Sequence, residues 1–158
     1  MATWQFDFHL IPASSVDRHF RATPVTLGEQ EYDAVPWWEG FREVASFEDD
    51  LNKLLPTGQS WHSRTRAWGE EDGDRLDVTY DGPRITEVYG RIDVRKLSLP
   101  FLNRLLDIAR KHSLLILTED RHLLRSSMKE LLGAIHRSRS FAFIADPEGF
   151  LSRLANTD

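Results

Sequence analysis

Cysteine is missing from the 158 residues, and its absence removes disulfide frameworks, thiolate metal sites and cysteine nucleophiles together. That suits a reducing compartment, and the cytoplasm is the expected location. Long apolar runs are missing too. None approaches the roughly 18 to 20 residues that cross a bilayer, and the opening MATWQFDFHL has neither the basic head nor the long apolar stretch of a secretory signal. No glycine-rich phosphate loop, Gly-x-Ser-x-Gly elbow, His-Glu-x-x-His or His-x-His occurs, which leaves nucleotide enzymes, serine hydrolases and common zinc enzymes without their signatures. Internal repeats and low-complexity linkers are also absent.

What is present is charge, unevenly placed. Residues 1–94 hold 18 acids and 9 bases, and residues 95–158 hold 7 acids and 11 bases, within a net charge of -5. A single-sign field of this kind steers an oppositely charged partner, so the acidic part favours a basic partner and disfavours nucleic acid. The alternative is that the two halves neutralise each other once folded. A chain of this length buries roughly 70% of its unfolded surface, enough for one domain over residues 1–158.

The stretch from Asp74 to His112 organises the expected fold. Two strands joined at Asp81-Gly82 run into an amphipathic helix that Ser98 caps, with Pro100 in its first turn and Phe101, Leu102, Leu105, Leu106, Ile108 and Ala109 as its apolar stripe. Pairing Val78 with Val88 needs a five-residue loop, Asp81 to Ile85, or an equivalent bulge near Thr86. Asp77, Thr79, Glu87, Tyr89, Arg91, Asp93 and Arg95 then share a face that reads as solvated ion pairs.

Around that stretch, residues 4–10 alternate as a half-buried strand, Trp4, Phe6, Phe8 and Leu10 inward and Gln5, Asp7 and His9 outward. Residues 12–44 read as mostly irregular. Ser46 is expected to cap a short helix with Phe47, Leu51, Leu54 and Leu55 on one side. Trp61 to Trp68 contains a strand. Leu114 to Leu117 is the candidate middle strand of the sheet; His122 to Arg125 forms a short strand, and Ser127 opens a helix. Phe141 to Ile144 reads as a last strand, and Asp146-Pro147 starts a closing helix that buries Phe150, Leu151 and Leu154. The fold class is α+β: a mixed, mostly antiparallel sheet with helices mainly on one face.

Two constellations could carry function. Asp7 and His9 lie two apart on one strand face, side by side for a metal or an acid-base pair, with His19, His62 and Asp77 as further donors. Acids interleaved with aromatics, Trp37, Trp38, Glu39, Trp68, Glu70, Glu71, Asp72, Asp74 and Tyr89, would form an interface with aromatic anchors if they converge. Adjacent tryptophans cannot both face inward on a strand, so one of Trp37 and Trp38 is expected to be exposed. The basic residues of the last third, among them Arg125, Lys129 and Arg137, read most simply as partners for the acidic half.

The strand, helix, strand order within residues 84–154, through RIDVRKLSLPFLNRLLDIARKHSLLILTEDRHLLRSSMKELLGAIHRS to the ending Asp146-Pro147-x-x-Phe150-Leu151, resembles small bacterial proteins encoded beside polymorphic or secretion-system toxins as their immunity proteins. The resemblance implies a non-enzymatic cytoplasmic inhibitor, without cofactor or metal, that binds a cognate toxin and blocks its active site. With the acidic residues, this makes a basic toxin, such as a nuclease, the leading partner. The rivals are a small metal-dependent hydrolase centred on Asp7 and His9, and an oligomeric structural or regulatory domain, in the simplest case a homodimer.

Overall fold

In the computed structural model, which describes residues 2–156 with the side chain of Leu154 excepted, the first strand is threaded into the middle of the sheet. Strand β1 (Gln5–Pro12) leads into helices α1 (Ala13–His19), α2 (Glu29–Asp33) and α3 (Val44–Leu54). Strands β2 (Thr57–Gly58), β3 (Thr65–Gly69), β4 (Arg75–Asp81) and β5 (Arg84–Asp93) follow, then a 3-10 turn at Val94–Lys96 and helix α4 (Leu99–Lys111). Strands β6 (Leu114–Thr118) and β7 (Leu123–Leu124) precede helices α5 (Met128–His136), α6 (Arg139–Ala145) and α7 (Pro147–Ala155). The sheet order is β2-β3-β4-β5-β1-β6-β7, and the pairings between these strands are all antiparallel. The fold is α+β, as the pattern of elements predicts.

The hairpin resolves its register by the bulge. Val78 faces Val88, Tyr80 faces Ile85 and Asp81 faces Arg84, with the shift at Thr79/Tyr80 leaving Thr86 as the extra residue. The turn at Gly82, φ +59, is therefore tight, and the longer loop does not form. Phe6, Phe8, Leu76, Val78, Val88, Ile92 and Ile116 are all within 2% of full burial and meet the apolar sides of α3 and α4. Phe8 lies over Gly90, its cross-strand partner, so closely that a Cβ there would stand 2.1 Å from the ring.

Several expectations change. Gln5 and Asp7 face away from the main core yet are buried, 2% and 5% exposed, because protein instead of water covers them: Gln5 donates to the Glu71 and Gly73 carbonyls at 2.8 and 3.0 Å. The middle strand is β5, with β1 beside it, and β6 lies second from the edge. A run covered on both faces need not be central. Residues 12–44 are mostly irregular, as expected, around the short helices α1 and α2 and the start of α3.

Helix α3 begins before Ser46, with Glu43 at the cap making no side-chain cap bond, since its carboxylate is spent on His112 Nδ1 at 3.0 Å. Phe141 to Ile144 is helical. A four-residue apolar run fits strand or helix, and Ser138 decides it by accepting from the Phe141 amide at 3.2 Å, while Ser140 Oγ donates to the Gln5 carbonyl at 2.5 Å. In the closing helix Phe150 is half-buried but Leu151 is 53% exposed, against the expectation, and the Leu154 side chain lies outside the described set.

Ser98 and Ser127 cap their helices as expected, accepting from Phe101 and Glu130 amides. Among the described residues no helix is long and apolar enough to cross a membrane.

Candidate functional site: the polar sheet face and its acidic rim

The sheet face opposite α3 and α4 carries charge that is paired and half-buried, where alternation alone predicts a solvated surface. Asp77 accepts from Arg75 Nε at 2.9 Å and from Arg91 Nη2 at 3.1 Å, bridging neighbouring strands. His9 meets Glu87 at 3.5 Å, and its ring sits 5.0 Å from Tyr32 and 5.1 Å from Tyr89. The hydrogen bond to His9 outweighs burial and holds the Glu87 carboxyl below its ordinary range. Asp7 is the exception. Its side chain bonds to Tyr89, but Oδ1 has no partner, and burial drives the carboxyl above its ordinary value against the pull of Tyr89 and Arg91.

Asp7, His9, Tyr89, Thr118, Glu119 and Arg121 line a cavity of about 220 Å³. Burial, then the charge of Asp7, also raises Glu119. Two carboxyls that resist ionisation beside an imidazole-carboxylate pair can exchange protons with a small ligand. A metal is poorly served. Among the described residues no three His, Asp or Glu side chains converge as a ligand set: His19 bonds the Ser15 carbonyl on α1, His62 lies in an exposed loop, and Asp77 is held by two arginines.

The rim of this face is the loop from Glu70 to Asp74, which joins β3 to β4. Gly69, at φ +97, lets the chain turn where a Cβ would stand 2.1 Å from the Asp74 carbonyl oxygen. The loop's carbonyls are clamped. Gln5 bonds those of Glu71 and Gly73, while Trp4 Nε1 and Arg95 donate to that of Asp72 at 3.2 and 3.1 Å. The side chains of Glu70, Glu71 and Asp72 remain exposed and form no ion pair among the described residues, although Asp72 lies near enough to Arg95 for their charges to attract. Asp74 is half-buried, accepts from the Asp93 amide at 2.8 Å, and is raised by burial and by the charge of Asp93.

The residues expected to converge divide into two groups. Glu70, Glu71, Asp72 and Asp74 rim the sheet face that holds Tyr89. The tryptophans do not join them. Trp37 and Trp38 are each 3% exposed and Trp68 is fully buried, which overturns the expectation of an exposed member in the adjacent pair. The period-2 rule does not bind a turn: Trp37 stacks on Phe20 and Tyr32, whereas Trp38 packs on Phe41 and Phe47 of the helical layer. Trp68 donates to Asn52 at 2.8 Å. Glu39 is exposed on the Trp37–Trp38 turn, where its carbonyl accepts from Arg18.

Comparisons with protein-family models, curated proteins and solved structures find no match. What the surface can do follows from its charges. The two halves of the chain neutralise each other only in part: Arg66 pairs with Glu48, Arg75 and Arg91 with Asp77, Arg110 with Asp107 and Arg125 with Glu130, each within its own half. Across the divide stand chiefly Lys111 and His112 with Asp50, and Arg95 with Asp93. Two further tryptophans stand outside the expected constellation: Trp61, 81% exposed in a polar loop, and Trp4, expected to face inward with Phe6 but only half-buried, its ring centre 4.2 Å from the Arg95 guanidinium. For Trp61 the signal was its setting, Gln59-Ser60-Trp61-His62-Ser63, with no apolar neighbour to pack on.

Proposed function

We propose that this chain is a non-enzymatic protein-binding module, a cytoplasmic inhibitor of the kind the immunity-protein resemblance implies, which presents its Glu70–Asp74 rim to a basic toxin and covers the toxin's active site. One observation carries the reading: three exposed carboxylates, without an ion pair among the described residues, sit on a loop whose backbone is clamped by Gln5, Trp4 and Arg95. A charged loop fixed before binding loses little conformational freedom on docking, and its field speeds encounter. Tyr89 and Asp74 supply the floor beside the rim, and the buried tryptophans serve the core.

The test first looks for a toxin-like protein encoded beside this gene, whose absence would overturn the reading, and then measures the triple reversal Glu70→Lys, Glu71→Lys, Asp72→Lys against that protein. Association at low salt slows about ten-fold or more, while stability stays within about 0.5 kcal/mol, because no ion pair is broken. An unchanged association rate removes the rim from the interface. A second reading, metal-independent acid-base chemistry on a small ligand, is favoured by the unpartnered Asp7 Oδ1 at the cavity.

A further inference from the structure

The far end of β3 and β4 has the opposite charge. Arg42, Arg64, Arg66 and Arg84 line one open cleft of about 940 Å³, with Glu48 and Tyr80 in its wall. Arg66 is occupied by Glu48 and by the ring of Trp68, 5.1 Å away. Arg42, Arg64 and Arg84 are exposed and make no side-chain hydrogen bond or ion pair with any described residue. Three uncompensated guanidinium groups around a concave space repel one another, an arrangement that a bound anion relieves.

The same cleft receives the start of α3. Val44 and Ala45, its first two residues, line the wall, and the cap residue Glu43 sends no side-chain acceptor to the helix amides. The positive end of an eleven-residue helix therefore adds to the arginines. Arginine's planar fork matches tetrahedral oxyanions with several acceptor oxygens, and three of them exceed what a single carboxylate neutralises.

We propose that this cleft, between the start of α3 and the β4–β5 turn, binds a phosphate-bearing anion of at least two negative charges. The site is separate from the acidic rim, which lies past the other end of β3, and it stands or falls independently of the partner proposed there. A free polyphosphate and a nucleotide share the required chemistry. Trp61, three residues before Arg64 in the chain, is 81% exposed in the loop that leads into β3.

The experiment titrates the whole protein at low salt with tripolyphosphate, adenosine triphosphate and hexaglutamate, by calorimetry. Tripolyphosphate binds saturably at one site, and added salt weakens it. The triple variant Arg42→Gln, Arg64→Gln, Arg84→Gln loses about ten-fold or more in affinity with an unchanged thermal midpoint, since those side chains hold nothing in the fold. Arg84→Gln alone, at the first residue of β5, gives a smaller loss in the same direction. Arg125→Gln with Lys129→Gln, in the basic groove on α5, leaves binding at the parent value.

Equal affinity for adenosine triphosphate and tripolyphosphate assigns recognition to the phosphate chain, and tighter binding of the nucleotide adds the base; both support the proposal. No saturable binding, an unaffected triple variant, or hexaglutamate binding as well as tripolyphosphate overturns it.

Discussion

Asp7 keeps a carboxylate where water scarcely reaches, with one oxygen unpartnered and its proton affinity raised by burial. A group whose folded pKa is raised opposes folding above that pKa and ceases to do so as the pH falls through it. Asp7→Asn, which keeps an acceptor for Tyr89, is expected to raise stability at pH 7 by about 1 kcal/mol, with the gain vanishing near pH 4; urea unfolding at both pH values checks it. Loss of function in that more stable variant would favour the acid-base reading over the binding module. Asp50 works in the opposite sense. Burial would raise its carboxyl, but hydrogen bonds from His112 at 2.7 Å and Lys111 at 2.9 Å together hold it below its ordinary 3.8. Its stabilisation is complete above that ordinary value and is lost as the pH falls through the lower folded one. Asp50→Asn should cost about 2 kcal/mol at pH 7, and the difference from the parent should shrink in acid below pH 4.

Among the elements, β5 is tuned by a residue that has no side chain. Gly90 leaves room for the tip of the Phe8 ring, so Gly90→Ala overpacks the centre of the sheet and is expected to cost about 2 kcal/mol, read as a lower thermal midpoint. Both β5 and α4 are legible in the sequence, because period-2 and period-3.6 apolar spacing persist there long enough to exclude each other, and because Ser98 marks a boundary chemically. Helix α6 is illegible for the opposite reason. Its apolar run is a single helical turn long, and the deciding contacts, Ser138 to the Phe141 amide and Ser140 to Gln5, are respectively local and 135 residues apart. The polar face of β1 misleads similarly. Its alternation is real, but the loops that cover Gln5 and Asp7 leave no periodic trace.

At the level of the molecule, charge follows space and not chain order. Division at residue 94 predicts one acidic and one basic half, yet Arg42, Arg64, Arg66 and Arg84 belong to the acidic half and gather at one end of β3 and β4, while Glu70, Glu71 and Asp72 gather at the other. Of the candidate site, the acidic loop is legible because unpaired charge at a turn has few places to hide, whereas the tryptophans and the arginine cleft depend on tertiary placement. If the rim steers a basic partner, association by the parent slows steeply between about 20 and 200 mM salt, and the triple-reversed variant loses most of that slope; stopped-flow mixing measures both. The threading of β1 has its own outcome during synthesis. Gln5 awaits Asp93 and Phe8 awaits Thr118, so the first strand leaves the ribosome on the order of ten seconds before its second neighbour at 5–20 residues per second. Until β5 emerges both edges of β1, and until β6 emerges one of them, are open to whatever strand comes first, and the nascent chain needs shielding that the finished protein does not.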